Sequence, residues 1–305
     1  MKELASIVFT SDFVYSIFRV TTPLLFASMG AVISDVAGVP NIALEGLMLI
    51  AAFSGMFFSY LTQSAFLGLL MAVLFAILFS GVLAFFTLYY KTNIILGGIA
   101  INSLASGGTI FFLYLVAQDK GTSVSLASKT LPILHISGIE QIPVLGTILS
   151  GHNILTYVAV LAVIFTYLLI NKTALGYHIR AVGEKKAAAE SVGISVMKTQ
   201  TIALLLSGLM CGFGGAFMSM GYVSWFSKDM ISGRGWIALA AEAMGMQSAL
   251  GSAAASIVFG VADAVSNAVA TMGLPSDLVK TIPYLTTLIC LAVFSMRTYK
   301  RFREE

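Results

Sequence analysis

Charged residues are scarce in this chain of 305 residues: they make up only 10% of it, while 58% is hydrophobic and the mean hydropathy is +0.94. Soluble domains carry about 25% charged residues. The composition therefore excludes an ordinary soluble enzyme and predicts an integral membrane protein. No short apolar stretch with a small-residue cleavage site follows the N-terminus, so we expect no cleaved signal peptide.

Cysteine and histidine are also rare. Cys211 and Cys290 lie in apolar segments, where a thiol packs as a small hydrophobe, and His135, His152 and His178 lie in polar connections. The sequence contains no G-x-x-x-x-G-K-[ST], H-E-x-x-H or G-x-S-x-G motif. We therefore expect no catalytic residue, no metal site, no cofactor and no ATPase site in this chain.

Long apolar blocks are what the chain has instead. A membrane-spanning helix needs ~20 apolar residues. Nine blocks qualify as candidates, at 13–33, 41–61, 65–88, 94–117, 154–170, 199–222, 236–246, 252–272 and 282–296. Block 236–246 is short and block 41–61 starts with polar residues, so either is predicted to be broken or re-entrant. The fold class is all-α: one transmembrane domain, 1–305, with 8–10 membrane helices.

Basic residues cluster in two places. The polar segment 171–198, the island, holds Lys172, Arg180, Lys185, Lys186 and Lys198, and the C-terminal tail holds Arg297, Lys300, Arg301 and Arg303. Lys and Arg are retained on the cytoplasmic side of membrane proteins. The island and the C-terminus are thus predicted to be cytoplasmic, and segments 118–153 and 223–235 external. On nine spans the N-terminus is external.

Several polar side chains fall inside the apolar blocks, where burial of a charge is costly unless it faces a cavity or a partner. Asn41 and Glu45 are four residues apart and share a helix face, as do Asp263 and Asn267, while Asn102 and Ser106 lie on one stripe. These six residues are the candidates for a solute path suited to a neutral or zwitterionic polar solute. The alternative is that they form structural hydrogen bonds between helices.

Two motifs resemble a known family. The first is GVPNIALEGLMLIAA at 38–52, and the second is GYHIRAVGEKKAAAESVGI at 176–194. They are similar to the motifs G-x-x-N-I-x-x-E-G-x-M-x-x-x-A and G-x-x-x-R-A-x-G-x-N-x-x-A-A-x-x-x-G-I of permease subunits of bacterial ATP-binding-cassette (ABC) importers. The family is that of the branched-chain amino acid, ribose and simple-sugar permeases, and the first motif resembles its nucleoside branch.

The resemblance implies a fold and a set of partners. It implies a type II ABC importer fold, with the island as the coupling loop that docks on a separate ATPase subunit, which binds the ATP. The residues implied in docking are Arg180, Gly183, Glu184, Ala187, Ala188 and Gly193, and 184–191 is rich in helix formers between two glycines, which predicts a two-turn helix. A second permease subunit, an extracytoplasmic solute-binding lipoprotein and the bacterial cytoplasmic membrane complete the expected assembly.

Other solutes and other classes of protein are compatible with the same sequence. Ribose, another simple sugar or a branched-chain amino acid could replace the nucleoside as solute. The rival classes are an ion-coupled secondary transporter and a structural or assembly protein of the membrane, and the island could instead be a solvated loop that binds anionic lipid through its lysines.

Overall fold

A computed structural model describes residues 10–136, 138, 145–270, 281–290 and 292. Its helices are α1 Ser11–Val36, α2 Leu44–Thr62, α3 Ala65–Ala84, α4 Ile94–Ala117, α5 Leu145–Leu149, α6 Ile154–Lys172, α7 Ala174–Glu184, α8 Lys186–Ser191, α9 Val196–Phe217, α10 Arg234–Met244, α11 Ala249–Ala270 and α12 Thr281–Cys290. A π-helical turn extends α3 over Phe85–Tyr89 and another extends α9 over Met218–Tyr222. Two short antiparallel strands, β1 Ile133–Leu134 and β2 His152–Asn153, complete the described elements.

Seven of these helices, α1, α2, α3, α4, α6, α9 and α11, are long and apolar enough to cross a membrane, and α12 is a shorter apolar helix. The all-α polytopic bundle predicted from the sequence is thereby confirmed. The two blocks predicted to be broken or re-entrant are irregular. Block 236–246 forms α10, whose 11 residues give ~16 Å of helix, which is too short to cross a hydrocarbon core of ~30 Å. The other block becomes helical only at Leu44.

Side-chain caps fix where most of the long helices begin. Thr10, Ser64, Asn93, Asn153 and Thr173 accept hydrogen bonds from backbone N–H groups in the first turns of α1, α3, α4, α6 and α7. A cap satisfies N–H groups that have no partner within the helix, and this matters most where lipid rather than water surrounds the helix end. The polar residues between the apolar blocks therefore define the helix starts.

Small residues determine how closely the central helix pair, α3 and α9, packs. A Cβ added to Gly208 would stand 2.9 Å from the Ala76 carbonyl oxygen, and one added to Gly212 would stand 2.7 Å from the Val73 Cα. The two backbones therefore approach so closely that only glycine fits at these positions of α9. This is the small-xxx-small packing typical of membrane helices, where apolar burial gives no drive for association.

The island folds into two helices, α7 and α8, rather than the two-turn helix predicted at 184–191. That prediction is wrong in its boundaries because Lys185 is extended, with φ −155° and ψ 99°, which separates Glu184 at the end of α7 from α8. Gly193 follows with φ +85°, a left-handed conformation that favours glycine. Gly183 lies within α7 and packs against the end of α1.

Candidate functional site

Two non-helical segments, 37–43 and 223–233, lie between helices of the bundle. At the end of the first, Asn102 of α4 donates a hydrogen bond to the Ile42 carbonyl (3.0 Å) and accepts one from the Gly46 N–H in the first turn of α2 (2.8 Å). A single side chain of α4 thus satisfies one donor and one acceptor at the start of α2. Irregular backbone at membrane depth is stable only when such groups find partners inside the protein.

Asn41 is fully buried in the same segment. Its Nδ2 donates to Ser207 Oγ of α9 (2.9 Å), and its Oδ1 accepts from the Ala43 N–H (3.0 Å). Gln200, also of α9, donates to the Ala37 carbonyl (2.9 Å). The residues after α1 are therefore tied to α9 at two places.

Glu45 joins the two non-helical segments. Its Oε1 accepts from the Gly233 N–H (2.8 Å) and its Oε2 from the Gly235 N–H (2.7 Å), so both carboxylate oxygens cap the start of α10. The N-terminus of a helix carries partial positive charge and unpaired N–H groups, so a carboxylate is well suited to it. A Cβ on Gly235 would stand 2.7 Å from the Glu45 Cα, which requires glycine at that position.

Asp263 of α11 is paired with Arg234 of α10. The Arg234 guanidinium contacts the Asp263 Oδ2 at 2.9 Å, and the side chains are 12% and 14% exposed. Asn267, one turn further along α11, is exposed. The pair neutralises two charges at the start of the short helix.

Ser106 of α4 donates a hydrogen bond to the Asp229 Oδ1 at 2.9 Å. Ser106 lies roughly halfway along the 24 residues of α4, about 17–18 Å from either end. The segment 223–233, which follows α9, therefore reaches the middle of the membrane-spanning length of α4. Asp229, Ser232 and Gly233 in this segment all have positive φ.

The six residues predicted to line a path thus fall into separate groups. Asn41, Glu45 and Asn102 meet around the start of α2, Ser106 binds Asp229, and Asp263 binds Arg234. Asp229, Arg234 and the two capping glycines were not predicted, because the scarcity of basic residues in 223–235 indicates a segment that lies wholly outside the membrane. The available signal was Glu45 itself, since a carboxylate inside a membrane segment needs donors, and the sequence Gly-Arg-Gly at 233–235 supplies them.

The predicted docking residues lie on the island. Arg180, Glu184, Ala187, Ala188 and Gly193 are exposed, whereas Gly183 is partly buried. A polar crevice of about 510 Å³ lies between the island, the end of α1 and the turn after α10, lined among others by Asp35, Arg180, Glu184 and Gln247. Gln247 donates to the Asp35 Oδ2 at 2.7 Å across it.

Two further charged side chains, Glu242 and Arg19, belong to apolar helices. Glu242 of α10 is buried, and its Oε1 has no hydrogen-bond partner among the described residues. Arg19 donates to the Tyr222 carbonyl and stacks on the Tyr222 ring. Within the described part of the chain, no three His, Cys, Asp or Glu side chains are grouped so that they could hold a metal ion.

Comparison with known proteins gives matches along most of the chain. The family model described as branched-chain amino acid transport system, permease component, matches residues 13–294. The guanosine ABC transporter permease protein NupQ of Bacillus subtilis is 32% identical over 96% of this chain and 93% of its own length. The nucleoside ABC transporter permease protein NupC of Lactococcus lactis is 31% identical over 90% and 89%.

A third relative, the putative glucose ABC transporter permease protein TsgC13 of Haloferax volcanii, is 27% identical over 95% of this chain and 93% of its own length. No significant match to a solved structure was found.

Proposed function

Because this chain belongs to the family of branched-chain amino acid transport system permease components, we propose that it is the permease subunit of an ABC importer that conducts nucleosides. The observation that carries this proposal is the similarity to a guanosine and a nucleoside permease over at least 90% of the chain. The glucose permease relative is less similar, so a sugar is the second candidate solute.

The solute path would pass the exposed face formed by α4 and segment 223–233. Polar backbone and a carboxylate at mid-membrane depth are unfavourable against lipid, so this face requires water and a facing protein surface. A second permease subunit would supply that surface, as in the assembly implied by the sequence motifs. In this proposal Ser106 and Asn267 face the path, Asn41, Glu45 and Asn102 hold the backbone that shapes it, and Asp263 neutralises Arg234.

Coupling to ATP would run through the island. A separate ATPase subunit binds the ATP and docks on the exposed side of 171–198, where Arg180, Glu184, Ala187 and Ala188 are accessible. Gly183 packs backbone to backbone against Val36 and Gly38, and the chain continues from there into the Asn41 segment. A movement of the island therefore has a rigid contact through which to reach the irregular part of the bundle.

Orientation follows from the same proposal. The island and the C-terminus lie in the cytoplasm of a bacterial cell, and an extracytoplasmic solute-binding lipoprotein delivers the solute to the opposite face. This chain itself holds no cofactor and catalyses no covalent step.

Reconstitution tests the proposal. Proteoliposomes that contain this permease, its partner permease, the ATPase and the binding protein should accumulate radiolabelled guanosine when ATP is supplied, and a Walker-lysine variant of the ATPase should abolish uptake. Uptake of ribose, glucose or leucine but not guanosine would show that the importer conducts that solute and not nucleosides. Uptake by this chain alone under an ion gradient would indicate a secondary transporter, and no uptake of any kind would favour an assembly role.

A further inference from the structure

Resting on the proposed function, we propose that Asp229 is a solute-binding residue whose carboxylate accepts hydrogen bonds from the neighbouring ribose hydroxyls of a nucleoside halfway through the membrane. The residue lies in a loop that the sequence places outside, and it is exposed. Its only hydrogen bond through the side chain, among the described residues, is the one from Ser106.

Asp229 lies deep between the ends of the membrane-spanning helices. Asp229 is held by Ser106, about 17–18 Å from either end of α4, while the hydrocarbon core of a bilayer is ~30 Å thick. The carboxylate therefore lies close to the bilayer centre. An exposed carboxylate at that depth is unfavourable in lipid, so it faces a water-filled passage.

The turn of α4 that carries Ser106 also contains two glycines. A Cβ on Gly107, next to Ser106, would meet nothing within 4 Å, and the same holds for Gly108. The α4 backbone is thus open on the turn that carries Ser106. The space outside Gly107 and Gly108 is therefore not filled by another described residue.

The Asp229 carboxylate has hydrogen-bonding capacity that the described residues do not use. Both oxygens of Glu45 cap α10, and Asp263 is paired with Arg234. The Asp229 Oδ1 accepts from Ser106, whereas its Oδ2 has no donor among the described residues. Of these three carboxylates, Asp229 is therefore the one that can receive a solute hydroxyl without breaking the start of α10.

Backbone geometry keeps the side chain in place. Asp229 has φ +49°, in the left-handed region that Asp and Asn tolerate better than other non-glycine residues. Tyr284 of α12 donates to the Ser232 carbonyl at 3.0 Å, and Ser232 N–H donates to the Asp229 carbonyl at 3.0 Å, so the loop is closed on itself and anchored to α12.

The chemistry selects a class of solute. A carboxylate accepts hydrogen bonds and donates none, so it suits a group with adjacent O–H donors, such as the 2′ and 3′ hydroxyls of ribose. It repels phosphate, which excludes nucleotides while it admits neutral nucleosides. A contact of this kind holds a solute weakly enough to release it onward, as conduction requires.

The test compares uptake of guanosine and 2′,3′-dideoxyguanosine by proteoliposomes that contain the complete importer. The variant Asp229→Asn keeps the size of the side chain, the tolerance of positive φ and an acceptor for Ser106. Asp119→Asn is the matched control, since Asp119 is an exposed external aspartate that accepts from the Gly121 N–H at 2.7 Å. ATP hydrolysis by each complex reports whether the subunits assemble.

We expect Asp229→Asn to lower guanosine uptake about 10-fold, the usual effect of one charge-assisted hydrogen bond, and to leave dideoxyguanosine uptake unchanged. Equal uptake of guanosine by Asp229→Asn and wild type overturns the proposal. An equal loss for both solutes overturns it as well, because a structural role does not distinguish them. If wild type transports neither nucleoside while its ATPase is active, the proposed function fails first.

Discussion

Gly183 on the island contacts the carbonyl oxygen of Val36, the last residue of α1, without room for a side chain between them. This contact links the proposed ATPase-docking surface to the irregular segment that begins at Ala37. Its consequences are open to direct measurement.

Gly183→Ala should weaken this contact. The added methyl group collides with the Val36 carbonyl, and overpacking of this kind costs ~1–3 kcal/mol. We expect a lower Tm of the purified permease in detergent and weaker co-purification with the ATPase. Gly138→Ala is the control, because a Cβ at that position meets nothing within 4 Å, and it should change neither quantity. Unchanged co-purification of Gly183→Ala would remove the link.

Glu45→Gln should destabilise the bundle. The variant places an amide NH₂ opposite one of the two backbone N–H donors of α10, and each hydrogen bond to the carboxylate is worth ~1.5–3 kcal/mol. The expected result is a lower Tm and loss of transport together. Glu190→Gln, at an exposed position of α8, should leave the Tm unchanged. A Glu45→Gln protein as stable as wild type would show that the cap contributes nothing.

Asn102→Ala should have a larger effect on stability than Ser103→Ala. Asn102 satisfies both the Gly46 N–H and the Ile42 carbonyl, whereas Ser103 is exposed at the next position of the same helix. Each buried group left without a partner costs ~1–3 kcal/mol. The measurement is the Tm of each variant in the same detergent, and equal values for the two would show that the two hydrogen bonds of Asn102 do not stabilise the bundle.

His152 should make the protein sensitive to acid. It is buried, stacks on Tyr15 with ring centroids 4.0 Å apart, and contacts the Ile148 carbonyl through Nε2 at 2.8 Å. Burial lowers the pKa of His152 below its ordinary value of 6.5, opposed by the hydrogen bond to Ile148 and assisted by the charge of Arg19.

The sign of the pH effect follows from this shift. In the unfolded chain His152 binds a proton below pH 6.5, whereas in the folded protein it binds the proton only at a lower pH. The contribution of His152 to stability is therefore fully present above pH 6.5 and is lost as the pH falls through the lower pKa of the folded state. Thermal unfolding from pH 8 to pH 5 should show this loss in wild type and less of it in His152→Phe, which keeps the stack. His178→Gln, at an exposed site, should behave as wild type.

The orientation can be checked with introduced cysteines. In intact cells a membrane-impermeant maleimide should label Lys120→Cys but not Ala188→Cys, and permeabilisation should expose Ala188→Cys to the reagent. Both positions are exposed on the protein, so access depends on the membrane alone. Labelling of Ala188→Cys in intact cells would rule out a cytoplasmic island.

The sequence was sufficient for the fold class because long apolar blocks with capping residues between them leave few alternatives to a helical bundle. It also marked the blocks that begin at Asn41 and Trp236 as irregular. It did not predict that Glu45 caps α10, since the two partners are 188 residues or more apart and no local pattern connects them. The depth of Asp229 was not predicted, because the sequence of a polar loop indicates an external position and only the contact between Asp229 and Ser106 shows otherwise.

The short helix α10 has a consequence for how the protein is made. Eleven residues with an arginine at the start are too few to enter a bilayer on their own hydropathy. The carboxylate that receives its first N–H groups belongs to α2, which leaves the ribosome much earlier. The start of α10 can therefore be capped only when both halves of the chain are present, and a C-terminal half expressed by itself would lack the carboxylate that satisfies these N–H groups.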